Sequence, residues 1–169
     1  PGDILYGLPS SGIHSNGFSL IRKIMHEKKY PYSKKILNKK SLGSLLLRPT
    51  KIYVKPVLSI LAHCKVKGLA HITGGGLEDN IKRILPSGLG VEIDLNSLDI
   101  YSDKSIFGWL HNDCKLNKKE MLKTFNCGIG MSLITNKKEK DNLLSFCEEI
   151  KQPIKILGKI NDNDFFSFI

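Results

Sequence analysis

The chain has 169 residues, enough to close one hydrophobic core, and an apolar fraction of 41%, ordinary for a globular domain. Its apolar runs, such as Leu45-Leu46-Leu47 or Val57-Leu58 with Ile60-Leu61-Ala62, are far too short to cross a bilayer, and no signal-peptide pattern opens it. The formal charge of +10 raises nucleic acid as a partner, but of 26 basic residues only Arg22, Arg48 and Arg83 are Arg, and the Lys residues are scattered in pairs; solvated helix faces are the better expectation.

The first strand is expected over Ile4–Leu8, followed by a loop of small polar residues and then a helix on which Phe18, Ile21 and Met25 share one face. Lys28 to Lys51 has weak periodicity and reads as a long excursion with a helical turn near Ser41–Leu47. Val57, Ile60, Leu61 and Cys64 form a helical stripe, with Pro56 suited to the first turn. Further strands are expected at Leu69–Thr73, Val91–Leu95, Met131–Thr135 and Ile154–Ile160. Shorter helices are expected at Leu77–Leu85, Ile106–Asp113 and Lys118–Thr124, and Leu143, Cys147 and Ile150 mark a helix after Asn136. Pro86-Ser87-Gly88 stops the Leu77 helix. Strands alternating with helices predict an α/β sandwich whose sheet is covered, at least in part, on both faces.

The segment Gly7–Lys23, GLPSSGIHSNGFSLIRK, is the most informative. A glycine- and serine-rich loop between strand and helix turns backbone N–H groups toward the positive end of the helix dipole, an arrangement that binds anions. One residue suffices to cap a helix, and this loop has several more. No G-K-[ST] follows, so it is not a P-loop. Ser11, Gly12, Ser15 and Asn16 are the candidate phosphate contacts, and His14 is the loop residue able to titrate near neutrality. A second loop, His71-Ile72-Thr73-Gly74-Gly75-Gly76, repeats the logic at the end of another strand, with His71, Thr73, Gly74 and Gly75 as candidates. Glu78 and Asp79 suit a first helical turn and are read as structural. In Phe125-Asn126-Cys127-Gly128-Ile129-Gly130-Met131 the candidate ligand contact is Asn126, while close packing explains the glycines equally well. His26, His63 and His111 have no partners in sequence. Cys64, Cys114, Cys127 and Cys147 lie too far apart for a zinc site or a disulfide framework and are expected to be buried thiols of a cytoplasmic protein; no metal ligands are assigned.

Together with RPTKIYVKPVL, VKGLAHITGGGLEDNIKRILP, IFGWL and TFNCGIGM, the first loop closely resembles the C-terminal domain of the aminoimidazole ribonucleotide synthetase (phosphoribosylformylglycinamidine cyclo-ligase) family, in order from Pro1 to about Gly158. The resemblance implies a three-layer α/β/α fold with a mixed sheet and partly ferredoxin-like topology. It implies ATP-dependent ring closure of formylglycinamidine ribonucleotide in purine biosynthesis; on the reading of the residues themselves, His14 and His71 are the candidates to hold substrate or stabilise developing charge. It also implies that residues 1–169 are one domain, the C-terminal half of a two-domain homodimeric enzyme, and that ATP and Mg²⁺ are held mainly by an N-terminal half. The start at Pro1-Gly2-Asp3 agrees with a domain boundary, and such a fragment is expected to be inactive alone. Phe18 stands where many members have Tyr and Cys127 where many have Met. The alternatives are a basic nucleic-acid-binding module, or a domain of a related synthetase or kinase of the same superfamily.

Overall fold

Alternation along the first strand sets the architecture. Within Ile4–Pro9 (β1), Leu5 faces the larger of two hydrophobic clusters, while Tyr6 and Leu8 face the smaller. Successive strand side chains point to opposite faces, so the two clusters lie on opposite sides of one sheet. The computed structural model, which describes residues 1–169, therefore has the three layers and the mixed sheet expected from the sequence.

After β1 the elements run as Phe18–Glu27 (α1), Leu42–Leu46 (α2), Val54–His63 (α3), Val66–His71 (β2), Gly76–Lys82 (α4), Gly90–Ile93 (β3), Ile106–Asn112 (α5), Lys118–Thr124 (α6), Ile129–Thr135 (β4), Lys140–Glu149 (α7), Lys155–Asn161 (β5) and Phe166–Phe168 (β6). The larger cluster gathers side chains from α1, α2, α4, α5 and α6, including Ile21, Leu45, Ile81, Trp109 and Met121. On the other face, Ile60 and Cys64 of the α3 region and Leu143 and Cys147 of α7 close over Tyr6, Leu8 and Leu133. Asn117 caps α6, accepting from the Glu120 N–H at 2.9 Å, and Ser105 caps α5, accepting from the Gly108 N–H at 2.9 Å. No helix is long and apolar enough to cross a membrane.

The strand order is β2-β4-β1-β5-β3-β6, antiparallel at every neighbour except β3 with β6. Because β1 and β2 both run antiparallel to the strand between them, they point the same way. The loops leaving β1 and β2 thus emerge at one end of the sheet, where the chain also enters β4. The strand and helix assignments made from sequence hold to within a few residues at their ends, and the Lys28–Lys51 excursion contains the expected short helix, α2. Strand β6, not expected from the sequence, is a three-residue edge strand that pairs only with β3 and lays Phe166 and Phe168 against the larger cluster. Of the α3 stripe, Ile60 and Cys64 are buried while Leu61 is exposed.

Candidate functional site

Three backbone segments meet at this end of the sheet. The first loop, after β1, places His14 and Ser15 in the left-handed region, at φ 50 and 60, followed by Gly17 at φ 73 as the start of α1. Two consecutive non-glycine residues there cost free energy, and surrounding contacts must hold them. The main-chain N–H groups of Ile13, His14, Ser15 and Gly17 have no acceptor within the protein, and no side chain caps α1. In the second loop the N–H groups of Thr73, Gly74 and Gly75 are likewise free, and Gly75 takes φ 93. The loops are neighbours: a Cβ at Gly74 would lie 4.0 Å from Asn16 Oδ1. Unpaired main-chain N–H groups of both loops thus lie at the same end of the sheet.

Asn126 holds the first loop in place. Its Nδ2 donates to the Gly12 carbonyl at 2.8 Å, and its Oδ1 accepts from the Gly128 N–H at 2.9 Å and the Ser10 hydroxyl at 3.1 Å. The side chain is fully buried with both ends of its amide committed. The sequence expectation of a ligand contact at Asn126 is therefore corrected: it is a clamp. Asn80 has the same role under the second loop, donating to the carbonyls of Gly76, Gly74 and Thr73 and accepting from the Thr73 hydroxyl at 3.3 Å. Asn80 received no role from sequence because a helical Asn looks like any surface polar residue.

The two histidines differ in kind. His71 ends β2 and is exposed at the rim of an apolar groove that also takes in Tyr53, Val57 and Met131. His14 is buried. Its Nε2 accepts from the Ser11 N–H at 3.0 Å and the Lys51 N–H at 3.3 Å, and lies 3.0 Å from the Ser11 hydroxyl, which itself donates to the Pro49 carbonyl at 2.7 Å. Two N–H donors aimed at Nε2 require its lone pair, so the ring is the neutral Nδ1–H tautomer. Burial pushes its pKa down, helped by the nearby charges of His71 and Lys51. The expected titration of His14 near neutrality is thus opposed by its surroundings; the ring ties the first loop to the Pro49–Lys51 segment. Nδ1 itself has no partner.

Tyr53 stands between the histidines, with ring centroids 6.1 Å from His14 and 6.2 Å from His71. Its hydroxyl donates to the Pro9 carbonyl at 2.8 Å, and burial raises its pKa. Gly130 makes room for this group: a Cβ there would overlap the Tyr53 hydroxyl and come within 2.7 Å of His14 Cε1. The sequence signal for Tyr53 was the RPTKIYVKPVL run, which carried no assigned role. Of the remaining candidates, Ser15 is exposed, Ser11, Asn16 and Thr73 are partly buried, and Gly12 is buried beneath Arg48. Cys127 is buried and its thiol pKa pushed up by burial, and burial raises Cys114 and Cys147 to about 11, which opposes thiolate formation at all three. No group of three or more His, Cys, Asp or Glu side chains is placed to hold a metal ion.

A family model described as "AIR synthase related protein, C-terminal domain" matches residues 1–169. Among curated proteins, the chain is 41% identical over 162 residues to the human (Homo sapiens) trifunctional purine biosynthetic protein adenosine-3, covering 94% of this chain and 16% of that protein. It is 40% identical over 161 residues to phosphoribosylformylglycinamidine cyclo-ligase of Alkaliphilus metalliredigens (strain QYMF), covering 94% of this chain and 46% of that protein. The chain thus spans less than half the length of either relative. Among solved structures, the thiamine-monophosphate kinase of Stenotrophomonas maltophilia K279a superposes with a TM-score of 0.63 at 18% identity, over 99% of this chain and 50% of that one, a likeness of fold alone.

Proposed function

The chain belongs to the AIR synthase related C-terminal domain family, and from that premise we propose that it forms the substrate-binding half of an ATP-dependent phosphoribosylformylglycinamidine cyclo-ligase. In this reaction ATP phosphorylates the formamide oxygen of formylglycinamidine ribonucleotide. The amidine nitrogen attacks the activated carbon, and phosphate leaves to give aminoimidazole ribonucleotide. The observation that carries the reading is the pair of adjacent loops with free N–H groups, set beside an exposed His71.

Ser15, Asn16 and the free amides of Thr73, Gly74 and Gly75 supply hydrogen-bond donors for an anionic, hydroxylated ligand. His71 reaches the reacting end of that ligand and stabilises charge that develops there. His14 serves by holding the first loop in its strained form. ATP and Mg²⁺ are assigned mainly to an N-terminal half. The working enzyme is taken to be a cytoplasmic homodimer that is inactive without that half.

The test is made on the two-domain enzyme, following aminoimidazole product and ADP together. A His71→Ala change should lower kcat about 10²-fold, the usual loss for one preorganised donor. Turnover within a few-fold of the parent would remove His71 from the reaction. ADP release with a different phosphorylated substrate, and none with formylglycinamidine ribonucleotide, would favour a related kinase or synthetase.

A further inference from the structure

Helix α3 is apolar on the side that faces solvent. In α1 and α7, the other helices of its length, every exposed residue is polar or charged. In α3 only Ile60 is buried, whereas Val54, Leu58 and Leu61 are 62%, 61% and 44% exposed, and Ile52 just before the helix is 80% exposed. Val54 and Leu58 are four residues apart, and Leu58 and Leu61 three, so they stand in one row on one helix face. Scattered exposed apolar residues are ordinary, but a contiguous row marks a face that meets another protein surface.

The row joins two places in the fold. At its start, Ile52, Val54 and Leu58 line the apolar groove that has His71 at its rim. At its far end α3 passes into β2 through Cys64 and Lys65. There Val66 of β2 and Ile4 of β1 pair with Thr135 from opposite sides of β4. Two strand spacings set them about 10 Å apart. Lys67 bridges the same gap, with Nζ 2.7 Å from Asp3 Oδ2. The start of the chain thus lies beside the last turn of α3, and the helix, 10 residues long, covers the roughly 15 Å from there to the groove.

We propose that the exposed row Ile52, Val54, Leu58 and Leu61 is the docking face for an N-terminal half of the same polypeptide. The occupant rests on the proposed function, under which such a half brings ATP. A half joined at Pro1 starts beside the last turn of α3 and, packed along the row, finishes beside His71 and the free amides of the two loops. The relatives have the length for it, since this chain spans less than half of either one. The four side chains carry no polar atom, so covering them leaves no buried polar group without a partner. A second copy of this chain is the weaker fit, because it would cover α3 without bringing an ATP-holding surface to the site.

The test is the labelling rate of a thiol placed in the row. Leu58→Cys and Leu61→Cys are made separately in the 169-residue chain and in the two-domain enzyme. Reaction with a thiol reagent is followed by mass spectrometry of the peptide that carries the substitution. Ser87→Cys, exposed just before β3 and toward the other edge of the sheet, is the reference. In the 169-residue chain all three positions should react at similar rates. In the two-domain enzyme the rates at positions 58 and 61 should fall at least about tenfold, equivalent to about 1.4 kcal/mol of docking, with the rate at position 87 kept. Equal rates at positions 58 and 61 in the two proteins would overturn the docking face. Slow labelling that sets in as the concentration of the 169-residue chain rises would overturn the occupant and assign the row to a second copy. The readout does not depend on turnover. Aminoimidazole formation with both positions unprotected would overturn the docking face alone, whereas protection in an enzyme that forms no aminoimidazole would overturn the proposed function alone.

Discussion

Replacing His14 by Gln tests whether the first loop depends on a neutral imidazole. His14 is 5% exposed, and its Nε2 receives N–H groups from Ser11 and Lys51. Protonating Nε2 would set N–H against N–H in a buried site. Its pKa is held below the ordinary 6.5, first by burial and then by the charges of His71 and Lys51. The unfolded chain therefore takes up this proton first as pH falls. The stabilisation is complete above about pH 6.5 and drains away as pH drops toward the lower folded value. One proton sets a limit of about 1.4 kcal/mol per pH unit. At this size about 1 kcal/mol shifts Tm by roughly 2–4 °C, so the His14 share is up to about 3–6 °C per pH unit. A Gln carbonyl accepts as Nε2 does but does not titrate. Calorimetric melts of the parent and His14→Gln between about pH 7 and pH 5 should converge as pH falls, since the other four histidines are common to both and cancel. A Tm difference that stays constant across that range would refute the argument. So would long-range ¹H–¹⁵N spectra that place the proton of the neutral ring on Nε2.

Gly130→Ala should lower the stability by about 1–3 kcal/mol, because the added Cβ must displace the Tyr53 hydroxyl and His14 Cε1; an unchanged urea midpoint would show that the strand has room. Asn126→Ala strands the Gly12 carbonyl and the Gly128 N–H and should cost about 2–4 kcal/mol in urea unfolding with an unchanged slope, whereas a loss under 1 kcal/mol on that scale would make it a minor contact. All four cysteines are buried and free, and native protein should resist a thiol reagent until it unfolds; fast labelling of any one thiol would contradict that packing.

Much of the fold was readable because it depends on local periodicity. The apolar pattern of β1, α1, α7 and β4 specifies both element type and buried face, and the glycine-rich loops mark themselves by composition. The failures have physical causes too. Strand β6 carries no signal of its own beyond Phe166 and Phe168, since its partner β3 lies more than seventy positions earlier. Asn126 looked like an available polar side chain, and Asn80 carried no signal at all, because sequence gives residue type but not burial. His14 looked titratable for the same reason: the donors to its ring come from Ser11 and from Lys51, the latter 37 residues away.

By itself, the sequence determined the order of the first five strands and the helices, the position of two glycine-rich loops between strand and helix, and the family to which the chain belongs, because these depend on residue type at short spacing. Tertiary structure alone decided that the two loops share one end of the sheet, through the placing of β4 between two strands that run the same way. It also decided which polar side chains are consumed as clamps and which remain free. Such properties depend on which distant groups meet, and chain closure across tens of residues leaves no local trace.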